Sequence, residues 1–283
     1  MDWEGREESS NVEDRRRIGP AGLAVGGGGL GILVMIVAVL LGFDPRQFLG
    51  PGGANPVAQN RPADPEEDKL EHFSAIVLKD TETVWNDQFR KMGKQYREPN
   101  LVTYTAEVRS GCGDADSSVG PFYCPVDEKV YIDLSFYRDM ERKLNAPGDF
   151  AHAYVIAHEV GHHVQKLLGY SARAEKDKRS SNDRLAHQSS VRLELQADYF
   201  AGVWGHYAQE RFHYLNKRDI DFALNAANQI GDDRLQRNAH RTVNPDTFTH
   251  GTSEQRSRWF KAGFDTGDIP GAARLFELRY EEL

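Results

Sequence analysis

From Arg17 to Asp44 the chain carries no charge, and the stretch between them includes Leu30, Ile32, Leu33, Val34, Met35, Ile36, Val37, Val39, Leu40 and Leu41. A run that long and that apolar constrains the rest of the chain. At a helical rise of about 1.5 Å per residue, the 26 residues of 18–43 cross a bilayer core of about 30 Å with some tilt. The Gly26–Gly29 run lowers helix propensity, but lipid forces backbone hydrogen bonds to close internally and tolerates glycine. A cleaved signal peptide has a shorter apolar region, about 7–15 residues, followed by a small-residue cleavage site. No clear A-x-A site follows this run. A buried core helix is disfavoured because the run is apolar on every face. The expectation is a retained, single transmembrane anchor over 18–43. Arg15, Arg16 and Arg17 precede it and Arg46 alone follows closely. The positive-inside rule therefore puts residues 1–17 in the cytosol and the remainder outside it.

Beyond the anchor the composition changes twice. Residues 44–65 carry Pro45, Pro51, Pro56, Pro62, Pro65, Gly50, Gly52 and Gly53, the make-up of a linker. Residues 66–283 mix apolar and charged side chains at structured spacings and are expected to form the globular domain. Spacings of three, four and seven predict an amphipathic helix over 66–92. Alternation predicts a strand over Leu101–Val108 and another over Lys129–Leu134. Helices are expected over 150–168, 184–212, 218–230, 253–265 and 272–281, which makes the fold class α+β and mostly helical. No internal repeat is visible. A net charge of −8 argues against a nucleic-acid partner, which would need a basic face.

The chain has two cysteines, too few for a four-cysteine metal site. Cys112 and Cys124 flank a glycine-rich loop between the strand candidates. Outside the cytosol, a disulfide closing that loop is the expected state, worth about 3 kcal/mol in loop-closure entropy. A metal-binding thiol pair would more often show the C-x-x-C spacing that is missing here.

The sharpest local signal is His158-Glu159-Val160-Gly161-His162. On a helix, positions i and i+4 share a face, about 6 Å apart along the axis, so two imidazoles can reach one zinc ion. Glu159 projects from a neighbouring angle, where a general base for an attacking water is needed. Val155, Ile156, Val160, Val164, Leu167 and Leu168 make the helix largely buried, and polar groups on such a helix demand satisfaction. His163 is about 100° further round and should face away from the metal, and His152 also lies at a poor angle. A catalytic zinc takes three protein ligands. The extended H-E-x-x-H-x-x-G-x-x-H form fails, with Gln165 and Leu168 at its key positions. The next candidate is Glu194 on a following helix. Asp198, one turn on, can accept a hydrogen bond from a ligating histidine and fix its tautomer. Leu193, Leu195, Ala197, Phe200, Ala201, Val203 and Trp204 surround this pair, so it does not belong to a solvated face.

At the level of whole segments the chain resembles the bacterial predicted neutral zinc metallopeptidases (YpfJ-like). The resemblance rests on SSNVEDRR, the single apolar run, SGCGDADSSVGPFYCP, KVYIDLSFYRDM, AYVIAHEVGHHVQ, VRLELQADYFAGVW and THGTSEQRSRWFKAGFDTGD, and runs through nearly the entire sequence. It implies a zincin-like fold of the gluzincin type and a Zn2+ cofactor held by two histidines and a glutamate; together with the anchor and its flanking arginines, the expectation is a bacterial inner-membrane protein with a periplasmic catalytic domain. One departure is Tyr199, where the family commonly has cysteine after ELQAD. The segment His250-Gly251-Thr252-Ser253 looks like the histidine-containing motif that follows the second helix in some membrane-associated gluzincins. Two readings of it stay open. His250, or Tyr199, could donate to a tetrahedral oxyanion. Alternatively Thr252 or Ser253 simply caps the helix carrying Arg256, Trp259 and Phe260.

These observations predict a membrane-anchored zinc peptidase, in which Glu159 activates water for hydrolysis of a peptide or protein substrate. The competing reading is a membrane-anchored binding or chaperone-like module with structural or vestigial zinc. A structural site has no use for Glu159 and usually takes four protein ligands. A hydrolase of non-peptide bonds would share the chemistry of the first reading.

Overall fold

The computed structural model describes residues 1–16, 64–143, 146–178, 182–238 and 242–283. The expected anchor and all but the end of the linker lie outside the described residues. Among those described, no helix is long and apolar enough to cross a membrane.

The architecture is α+β and mostly helical. Helix α1 (Pro65–Lys91) starts where Asp64 caps it by accepting from the Glu66 N–H, with proline in its first turn. Glu66, Glu67 and Asp68 at its start and Arg90 and Lys91 at its end complement the helix dipole. Strands β1 (Val12–Asp14), β2 (Asn100–Tyr104), β5 (Phe122–Cys124) and β6 (Lys129–Asp133) form one mixed sheet in the order β1-β2-β6-β5. The β2 strand runs parallel to β6, with Leu101 opposite Val130, and β5 runs antiparallel to β6. Strands β3 (Glu107–Ser110) and β4 (Gly113–Asp116) make a separate hairpin.

The strand expected over Leu101–Val108 is in fact two strands. Ala106 takes a positive φ of 66°, and its N–H turns to donate to the Asp133 carboxylate at 3.0 Å, so the chain leaves one sheet and enters the other. The Cys112–Cys124 disulfide is formed, with Cα atoms 5.8 Å apart, and ties the hairpin to β5.

The first sixteen residues were expected across the membrane from the domain. Instead they are built into it. Strand β1 is the edge of the sheet, parallel to β2 with Val12 opposite Leu101. Trp3 is buried in the main core, edge-on to Phe73, and its indole N–H donates to Asp149. Arg6 pairs with the buried Asp80 at 2.5 Å, Ser9 donates to buried Glu82, and Lys129 pairs with Glu13. Arg16 reaches Asp68, in the first turn of α1, at 3.0 Å. A tail that buries an indole and satisfies buried carboxylates belongs to the same folded body as the rest.

Helices α2 (Ser135–Lys143), α3 (Asp149–Leu168), α4 (Tyr170–Lys178), α5 (Asp183–Phe212), α6 (Lys217–Gln229), α7 (Asp232–Asn238) and α8 (Ser253–Thr266) complete the fold. The helix expected over 272–281 is instead two short 3-10 segments, Pro270–Phe276 and Tyr280–Glu282. Pro270 can start a helical segment, but with no side-chain cap at its N-terminus it stays a short 3-10 stretch of seven residues.

Two close approaches set the helix layers. At Gly161 of α3, a Cβ would stand only 2.8 Å from the Ala197 carbonyl oxygen of α5. Between α5 and α8 the contact is tighter still. A Cβ on Gly202 would lie 2.0 Å from the Phe260 carbonyl oxygen, and one on Gly263 would lie 2.0 Å from that of Tyr199. Glycine at these positions lets three helices meet backbone to backbone.

Candidate metal centre

The two central helices bring the expected ligands together. His158 and His162 lie one turn apart on α3, with rings 4.8 Å apart and nearly perpendicular. Glu194 comes from α5. One ligand atom from each of His158, His162 and Glu194 falls within 4.8 Å of the others. Glu194 Oε2 is 3.2 Å from His158 Nε2, and Oε1 is 3.6 Å from His162 Nε2. Both histidines thus turn Nε2 to one carboxylate and keep Nδ1 for other partners. His158 Nδ1 meets Asp198 Oδ1 at 2.8 Å, as expected for the helper aspartate. His162 Nδ1 meets Gln165 Oε1 at 2.9 Å, and the Gln165 amide is held in turn by the Leu193 carbonyl. Two imidazole nitrogens and a carboxylate, each ring oriented from behind, fit a zinc ion of the open, catalytic type.

Among themselves, these groups balance one another's charge. Burial opposes charge on Glu194, yet His162 and His158 hold its carboxyl well below the usual range. Burial opposes charge on His158 as well, and the Asp198 carboxylate overcomes it, raising the imidazole above its ordinary value. Glu159 is buried beside the ligands, and desolvation raises its pKa against the pull of His158 and His162.

The other histidines fall as their angles require. His163 is fully buried and turned away, between the Tyr123 hydroxyl and the Arg97 carbonyl. His152 is buried against Tyr137 and Phe73.

Around His250 the capping reading is realised, since Thr252 caps α8 in a capping box with Gln255. His250 itself is also held. Its Nδ1 is 3.2 Å from Asp232 Oδ1, while the other Asp232 oxygen accepts the backbone N–H groups of Thr249, His250 and Gly251. His250 is near enough to Glu194 to help lower its pKa. Tyr199 donates its hydroxyl elsewhere, to the Asp268 carbonyl at 2.6 Å. One residue past Asp198, it sits about 100° round the helix and faces α8 rather than the ligands.

Two residues that hold the groups around the site, Asp232 behind His250 and Arg256 behind Asp198, were not read from the sequence. Asp232 gives no local signal, being one of two adjacent aspartates. Arg256 gives a faint one, as a cation three and four residues before Trp259 and Phe260 on an apolar helix face.

A buried H-E-x-x-H helix facing a glutamate on a second helix offers one metal ion two imidazoles and a carboxylate. The chain belongs to the family described as "Putative neutral zinc metallopeptidase", whose model matches residues 1–273. It is similar to "Uncharacterized protein YpfJ" of Escherichia coli (strain K12), 50% identical over 277 residues, covering 95% of this chain and 96% of that one. It is also similar to an uncharacterized protein of Mycobacterium tuberculosis (strain ATCC 25618 / H37Rv), 44% identical over 183 residues, 61% of each chain. No solved structure matches.

Proposed function

We propose that this protein is a zinc-dependent peptidase that hydrolyses peptide bonds with Glu159 as general base. The observation that carries the reading is the grouping of His158, His162 and Glu194, with Glu159 buried beside them and belonging to neither imidazole's hydrogen bonds. Zinc bound there would supply a Lewis acid that polarises the scissile carbonyl and acidifies the attacking water. Glu159 takes the water proton on its carboxylate and passes it to the leaving amine. We assign to His250, held by Asp232, the donation of an N–H to the oxyanion that develops on the carbonyl. Asp198 and Gln165 keep the two ligating rings in the tautomer that presents Nε2.

The uncharged run at 18–43 supports association with a membrane, and the Cys112–Cys124 bridge supports an oxidising compartment such as the bacterial periplasm. The complete general base weighs against a binding or chaperone-like module with structural zinc.

The test is Glu159→Gln in the full chain. Zinc content should stay at one equivalent, while chelator-sensitive cleavage of a peptide library should disappear. Undiminished cleavage by the variant would sink the mechanism, and zinc without cleavage in the wild type would favour the binding module.

A further inference from the structure

Behind the metal-facing residues lies a buried network that belongs to no ligand set. Arg256 of α8 forks onto Asp198, with Nε at 2.8 Å from Oδ2 and Nη2 at 3.0 Å from Oδ1. Tyr154, one turn before His158 on α3, donates its hydroxyl to Asp198 Oδ1 at 2.5 Å and lies 3.3 Å from Arg256 Nη2. Arg256 Nη1 reaches the Ile230 carbonyl at 3.4 Å. Arg256 is 2% exposed, and Asp198 and Tyr154 are not exposed at all.

Asp198 Oδ1 therefore accepts from three directions: His158 Nδ1, Tyr154 and Arg256. Oδ2 is taken by Arg256 alone. A carboxylate held by a fork at one edge and a phenol from the side cannot rotate, so the direction it offers His158 is fixed. The guanidinium also balances the Asp198 charge in a place where an unmatched carboxylate would be costly. Gly202 and Gly263 let α8, which carries Arg256, lie backbone to backbone against α5, which carries Asp198.

We infer that Arg256 is a positioning residue for the metal, acting through Asp198 to fix the His158 ring. The inference rests on the zinc reading of His158, His162 and Glu194. It makes α8 a third element of the site, although α8 supplies no ligand.

The experiment measures zinc affinity by chelator competition in the full chain. The variants are Arg256→Gln, Arg256→Lys, Asp198→Asn, and Asp198→Asn with Arg256→Gln. Loss of a residue that orients a metal ligand typically lowers affinity by about 10–100-fold, and Arg256→Gln should fall in that range. Arg256→Lys keeps the charge without the fork and should recover part of the loss. It also carries the test if Arg256→Gln fails to fold. Arg256 also approaches His158 directly, Nη2 to Nδ1 at 3.4 Å, but that sets one N–H donor against another and holds nothing, so with Asp198 already replaced Arg256→Gln should add less than about twofold. Wild-type affinity in Arg256→Gln, or equal effects of that change in both backgrounds, would overturn the inference and leave the zinc site standing. A wild-type chain that takes up no zinc would overturn the site and the inference together.

Discussion

Gly161→Ala tests whether the metal centre depends on how closely two helices approach. The added Cβ would stand 2.8 Å from the Ala197 carbonyl oxygen and 3.1 Å from its Cα, where ordinary contact begins at 3.4 Å. Both obstacles are backbone, so relief requires α3 and α5 to separate by about half an ångström. Overpacking of this kind costs about 1–3 kcal/mol, partly offset by about 1 kcal/mol of better helix propensity for alanine. A net loss of about 1 kcal/mol lowers Tm by about 2–4 °C in a domain this size. The metal should feel the change more. Glu194 lies one turn before Ala197, so it moves off the two imidazoles, and metal sites tolerate only about 0.2 Å in ligand distance. Chelator competition should show zinc affinity down by about tenfold or more, with the folded fraction unchanged at room temperature. A variant with higher Tm and wild-type zinc affinity would refute the reasoning, since only the propensity gain would then have registered.

Three further outcomes are expected. Trp3→Ala removes a buried indole and its bond to Asp149, costing about 3 kcal/mol and about 6–12 °C in Tm; an unchanged melting curve would mean the tail is not docked. Cys112→Ser with Cys124→Ser opens a short loop and should cost about 3 kcal/mol in urea unfolding, whereas an unchanged midpoint would show that the bridge adds nothing. Hydrogen bonding from Arg97, with help from Lys166, holds the Glu128 carboxyl at about 2, below its ordinary 4.5. Its contribution is therefore present above about pH 4.5 and lost as pH falls through about 2. Because Glu128 is partly exposed, Glu128→Gln should cost about 1 kcal/mol or less at pH 6 and nearly nothing at pH 2, and equal costs at both would contradict the assignment.

Much of the centre was legible because its signals are local. The i, i+4 histidines share a helix face whatever that helix packs against, and Glu194 with Asp198 stood out as acids inside an apolar run. His163 could be set aside by angle alone. What was not legible depends on contacts between distant segments. Asp232 acquires meaning only when three backbone N–H groups from residues 249–251 close on it. Arg256 acquires it only when α8 meets α5 at two glycines. The break at Ala106 follows from a carboxylate 27 residues further on, which no alternation pattern encodes. The tail misled for the same reason. Its three arginines read as a topology signal, but Arg15 and Arg16 are engaged with Glu13, Asp14 and Asp68.

The docking of β1 fixes where the N-terminus stands relative to the domain. Residue 16 and residue 68 touch, so the path of the chain between them begins and ends at one spot on the folded body. While β1 stays in the sheet, residues 1–16 and the domain that begins at residue 64 stand on the same side of any membrane. Reporters fused to residue 1 and to residue 283 should therefore register the same compartment.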